Sequence, residues 1–155
     1  MFSSAKNEKL DGLCDEIENL SEASAVYVGC DSICLRKKSY NKFIVAVVYH
    51  YDCKYGASVR CLSFREHRYM STQERLYKEI ELAVTIMQQL LPSIGNRRHE
   101  LHFDINPDPQ HVSYGMLSTA IGWGNAISVP VKVKPDAFAA STVADHSLRK
   151  SLVAA

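Results

Sequence analysis

The sequence predicts an α/β fold in which a five-stranded mixed sheet is flanked by helices, with a helical extension ahead of it. Three observations lead there. Strand-like runs follow one another between Ala25 and Arg65, helical and strand-like patterns alternate from Ser71 onward, and 155 residues, 46% of them apolar, suit a single core. Consecutive strands joined by tight turns pair antiparallel, whereas strands separated by a helix return parallel. The order β β β α β α β α therefore implies a sheet with one half of each kind. Residues 1–24 are expected as the extension and residues 25–155 as the domain.

Taken in order, Leu10, Leu13, Ile17 and Leu20 recur at helical spacing with Lys, Asp and Glu between them, which predicts an amphipathic helix over about residues 5–20. Ala25 to Asp31 (AVYVGCD) reads as a strand covered on both faces that finishes in an acid. The following SICLRKKSYN reads as a loop. Lys42 to Tyr51 (KFIVAVVYHY) is the strongest strand signal, Asp52 to Gly56 supplies a turn, and Ala57 to Arg65 alternates and can pair back. Ser71 with Glu74 three residues on forms a capping box for a long helix whose stripe is Leu76, Ile80, Ala83, Val84, Met87 and Leu91; it is expected to close before Pro92. His99 to Ile105 (HELHFDI) alternates as a strand with Asp104 near its end. Gln110 to Ile121 is a helix that Gly122 and Gly124 break, and Ala126 to Val133 (AISVPVKV) is a last strand that Pro130 puts at an edge or a bulge. Ala139 to Lys150 closes the chain as a helix.

Eighteen Lys and Arg against 17 Asp and Glu give a net charge of +1, which excludes a generally basic coat and makes any polyanion site local. No apolar run approaches the roughly 18 residues that cross a bilayer, and MFSSAKNEKLDG lacks the apolar stretch of a signal peptide, so a cytoplasmic protein is expected, with no membrane partner. The five cysteines include no CxxC pair and read as reduced packing residues.

Four acids stand out by position. Asp31 and Asp104 sit at or near the ends of strands that, if adjacent and parallel, deliver both carboxylates to one edge of the sheet. Glu79 falls on the flank of the long helix's apolar stripe, and Asp145 lies on a final helix whose Ala139, Ala140, Val143 and Leu148 indicate close packing. Taken singly, each has a structural alternative as a turn acid, a flank ion pair or a solvated face. Together they repel one another in a packed setting and call for a divalent cation, and Mg²⁺ or Mn²⁺ prefers such oxygen ligands.

Val28 to Ser32 (VGCDS), Phe103 to Asn106 (FDIN), Lys134-Pro135 and Ala139 to Asp145 (AASTVAD), in this order of elements, resemble the ribonuclease H-like superfamily and, within it, the YkuK family over about residues 25 to 148. The resemblance implies a ribonuclease H-like fold, with Asp31, Glu79, Asp104 and Asp145 as catalytic metal ligands. The function expected is metal-dependent hydrolysis of nucleic-acid phosphodiesters, in RNA, DNA or a hybrid. Its rivals are a non-catalytic nucleic-acid- or protein-binding module and a phosphoesterase for small nucleotides.

Other residues carry two readings each. Lys134 either binds a substrate phosphate or is an exposed strand-end lysine, and Arg36, Lys37 and Lys38 either contact a nucleic-acid backbone or form a solvated turn. Ser32 and Asn106 either support the metal site or hydrogen-bond their own turns. Tyr40 could stack on a base or simply pack, and His102 is better read as a satisfied core histidine than as a partner of Asp104. The Leu10 to Leu20 stripe could dock a protein partner or a second copy of the chain.

Overall fold

In the computed structural model, which describes residues 2–153, the apolar runs of the first half become three long strands: β1 (Ala25–Leu35), β2 (Tyr40–His50) and β3 (Ala57–Glu66). They are preceded by α1 (Ser4–Glu18) and followed by α2 (Thr72–Ile94), β4 (Arg98–Phe103), α3 (Leu117–Ala126) and β5 (Val131–Lys132). A π-helical segment, Ala139–Ala144, then runs directly into α4 (Asp145–Val153). The sheet order is β3-β2-β1-β4-β5. β1 and β2, like β2 and β3, pair antiparallel, whereas β4 lies parallel to β1 and β5 parallel to β4. The chain is therefore an α/β protein built on a mixed five-stranded sheet flanked by helices.

Pleating divides the core. Val26, Val28 and Cys30 of β1, with Phe43, Val45, Val47 and Tyr49 of β2, project to the face that α1 and α2 cover. Ala25, Tyr27 and Val48 project to the opposite face, where the π-helical segment and α4 lie. The apolar stripe of α1 belongs to the first layer: Leu10 and Leu13 are 3% exposed and Ile17 is fully buried, packed with α2. That stripe is covered by its own chain and is not a free docking face, because the sheet and α2 leave an apolar strip that only α1 closes.

Several boundaries differ from expectation, each for a physical reason. β1 does not stop at Asp31; β2 continues to pair with it as far as Leu35 opposite Tyr40, so the ladder holds Ser32 to Leu35, which ahead of the basic turn read as part of a loop in isolation. A 3₁₀ turn over Arg36–Lys38 and Ser39 at φ 54° close that hairpin. α2 passes through Pro92 to Ile94, because Leu90 and Ile94 are fully buried and a proline this near the C-terminus removes only one hydrogen bond. Gly122 and Gly124 lie inside α3 and do not break it; a Cβ on Gly124 would sit 2.2 Å from Val131 Cγ2, so glycine is what lets the helix approach β5. A 3₁₀ turn, Val112–Met116, replaces the first part of the expected helix. β5 is two residues long and not eight, and Pro130 sits just ahead of it, accepting a hydrogen bond from Leu101 N at 2.9 Å through its carbonyl.

Candidate functional site

The site is set by a fork in the sheet. β4 leaves β1 at the pair Cys30 and Phe103, while β2 continues beside β1, so Asp31 and Asp104 are the first residues beyond the last parallel rung on their respective strands. Alternation along β1 then sends Ser32 to the α2 face and Asp31 to the α4 face.

Gly29 brings α4 within reach. A Cβ at this position would lie 2.5 Å from Ala140 N and 2.6 Å from the carbonyl carbon of Ala139, so only a glycine allows the π-helical segment to lie directly on β1. His102, fully buried on β4, holds the same segment: its Nδ1 accepts from Ala139 N at 3.2 Å, and its Nε2 lies 3.1 Å from Glu100 Oε2. Burial lowers the imidazole pKa, which suits a neutral ring with the proton on Nε2. His102 is a satisfied core histidine that anchors the turn delivering Asp145. Lys42, on the α4 face of β2, adds a second anchor by donating to Ser151 Oγ at 2.7 Å.

Asp31 is half-buried and its Oδ1 accepts from Ser32 N at 2.9 Å. Its carboxyl is pushed up to about 7, mainly by burial and further by the negative charges of Asp104 and of Asp145, whose carboxyl is close enough to share a hydrogen bond; the Ser32 N–H acts in the opposite direction. Glu79 is 6% exposed and is pushed up to about 8, again chiefly by burial, with Asp31 and Asp104 adding to the rise. The Ser32 hydroxyl donates to Glu79, and Arg75, one helical turn earlier, donates to Ser32 Oγ at 3.1 Å; both temper that rise. Asp31 thus feels Asp104 and Asp145, and Glu79 feels Asp31 and Asp104, across the fork.

Each of the other two carboxylates faces a cation. Lys134 Nζ pairs with Asp104 Oδ1 at 2.8 Å. Arg149 Nε donates to both oxygens of Asp145, at 2.9 and 3.1 Å. Among the described residues no three His, Cys, Asp or Glu side chains converge closely enough to hold a metal ion. The pleat explains part of this: Glu79 engages Ser32 from the α2 face while Asp31 and Asp145 meet on the other. The donor set nonetheless fits a hard divalent cation in kind, since it is all oxygen.

The remaining expected residues are placed as follows. Ser32 bridges Glu79 and Arg75. Asn106 accepts from Asp108 N at 2.9 Å through Oδ1, a side-chain turn into the following loop. Arg36, Lys37 and Lys38 are exposed on the 3₁₀ turn beyond Leu35, past the fork from the acids. Tyr40 packs against neighbours, with Arg65 over its ring at 5.0 Å and His67 at 5.5 Å. Arg75 and Arg149 escaped the sequence reading, although Arg75 with Glu79 and Asp145 with Arg149 have the i,i+4 spacing that marks helical ion pairs.

A mixed sheet of this order, with acids at the fork and on the two helices that cover it, defines a ribonuclease H-like protein. The chain belongs to the Ribonuclease H-like family, whose model matches residues 11–149. No curated protein and no solved structure matches the chain. No helix among the described residues is long and apolar enough to cross a membrane.

Proposed function

We propose that the chain is a divalent-metal-dependent nuclease of the YkuK group within its family, acting on nucleic-acid phosphodiester bonds. The observation that carries this reading is that Asp31 and Glu79 are held in buried positions at the fork, their carboxyls pushed up chiefly by burial and further by neighbouring acids, because a cation would offset both costs. Asp31, Asp104 and Asp145 would hold Mg²⁺ or Mn²⁺, with Glu79 completing the set. When bound, the cation supplies an activated water nucleophile and charge to stabilise the leaving oxygen. The protein's own groups do the rest. Ser32 and Arg75 orient Glu79, and Lys134, paired with Asp104 Oδ1, is placed to meet a substrate phosphate once it leaves that oxygen. Arg36, Lys37 and Lys38 supply backbone contacts.

One observation favours a second reading, a non-catalytic nucleic-acid-binding module: Lys134 and Arg149 already neutralise Asp104 and Asp145. Turnover separates the two. The purified chain should cleave at least one of single-stranded RNA, single-stranded DNA, an RNA–DNA hybrid or a branched duplex with Mn²⁺, and lose that activity in EDTA. Asp31→Asn and Asp104→Asn should each lower it by roughly a hundredfold or more. Cleavage that survives EDTA, or that both variants retain, overturns the nuclease reading.

A further inference from the structure

A cavity of about 400 Å³ lies where the β1–β2 turn meets the connection between β3 and α2. Arg36 lies on one side and His67, Arg68 and Tyr69 on the other, with Tyr40 and Asn41 of β2 between them. Asn41 is 1% exposed; its Nδ2 donates to Arg68 O at 2.8 Å, tying strand to loop, and its Oδ1 has no hydrogen-bond partner. That oxygen is closed off from solvent, so Asn41 ties the two walls together and presents no acceptor to the cavity. Tyr69 is 83% exposed, an aromatic ring offered to solvent at the rim. Arg68 shares Nη1 between Tyr69 O and Glu74, both at 3.3 Å, and Arg36 is exposed on the opposite wall.

We propose that this cavity binds one unpaired nucleotide of a nucleic-acid strand: the base stacks on Tyr69, and Arg36 and Arg68 take the flanking phosphates. Stacking on an aromatic ring accepts any base, and the guanidinium groups match phosphate geometry. A base inside a duplex cannot do this, because its edge is paired and its faces are stacked, so the strand must be single there. Placement relative to the acids agrees by two routes. From Asp31 to Leu35 is four residues of strand, roughly 13 Å, and from Ser71 to Glu79 is eight residues of helix, roughly 12 Å. At a rise of roughly 3.4 Å per stacked nucleotide, the bound base lies about four nucleotides or fewer from a phosphate at the fork. The inference rests on the nuclease reading for that register, though the pocket itself does not require cleavage.

The test uses the full chain in EDTA at low salt, with fluorescence anisotropy of a labelled single-stranded DNA decamer and of the same decamer made wholly abasic. Wild type should bind the base-bearing strand about fivefold tighter or more. Tyr69→Ala, at a site exposed enough to leave folding intact, should bring that ratio to about one. Arg36→Ala should weaken both strands alike and leave the ratio in place. Equal binding of the two strands by wild type, or an unchanged ratio in Tyr69→Ala, overturns the proposal. A mononucleotide that competes at the decamer's own affinity also overturns it, because the cavity would then be a free-nucleotide site. A chain that cleaves nothing yet shows the base-dependent ratio and its loss in Tyr69→Ala keeps the pocket and loses the nuclease reading. A chain that cleaves while Tyr69→Ala keeps the ratio does the reverse.

Discussion

Asp31 carries an electrostatic load that can be measured without any substrate. Its carboxyl, at about 7, and that of Glu79, at about 8, both lie above their ordinary values, so between about pH 4 and pH 8 the folded chain holds protons that the unfolded chain has lost. Stability from this source is full below the ordinary carboxylate range and is lost as pH rises through the folded values. The metal-free chain should therefore melt higher at pH 5 than at pH 8.5, by about 5 °C or more, with other titrating groups held in common by comparing variants. Asp31→Asn removes the charge and keeps an oxygen to accept from Ser32 N. It should melt at or above wild type at pH 8.5 in EDTA, with a shallower fall from pH 5. Among the described residues Asp31 makes no ion pair that the change would remove, so a variant that melts several degrees lower at pH 8.5 would contradict this reading of Asp31.

Among the elements, the contact between β1 and the π-helical segment decides where Asp145 goes. Gly29→Ala would push a methyl group into the Ala139–Ala140 peptide, and backbone on both sides leaves little room to yield. A cost on the order of 2 kcal/mol in denaturant unfolding is expected, together with loss of any metal-dependent gain in stability, because Asp145 moves away from Asp31. A variant as stable as wild type would mean that the approach is looser than the structure has it. The same elements show what the sequence made legible. The capping box at Ser71 and Glu74 forms in full, and the unbroken apolar run of β2 is a central strand buried on both faces. The second half of β1 was not legible, because Ser32 to Leu35 become a strand only through pairing with β2. Gly122 and Gly124 looked like helix breakers because local preference carries no information about β5 lying against them. At the site, the acids were visible as positions, but their partners Arg75, Lys134 and Arg149 depend on distances that only the fold sets.

For the whole molecule, the fork organises everything else: one strand pairs antiparallel on one side and parallel on the other, and where the parallel partner leaves, Asp31 and Asp104 emerge beyond the last shared rung, with Asp145 near Asp31 on the α4 face and Glu79 reaching Ser32 from the α2 face. α1 and α2 close one face of the sheet and the π-helical segment with α4 close the other, so the fork is held from both sides. The central claim is that the fork takes a divalent cation on its carboxylates. Such binding must displace the protons that Asp31 and Glu79 retain near neutrality. The direct measurement is calorimetric titration of Mn²⁺ into the metal-free chain at pH 7, in two buffers of different ionisation enthalpy, for wild type and Asp31→Asn. Wild type should bind Mn²⁺ with release of about one proton or more per chain, and Asp31→Asn should bind at least roughly tenfold more weakly, with less proton release. No Mn²⁺ binding by wild type, or equal affinity and equal proton release in the two proteins, would contradict that claim.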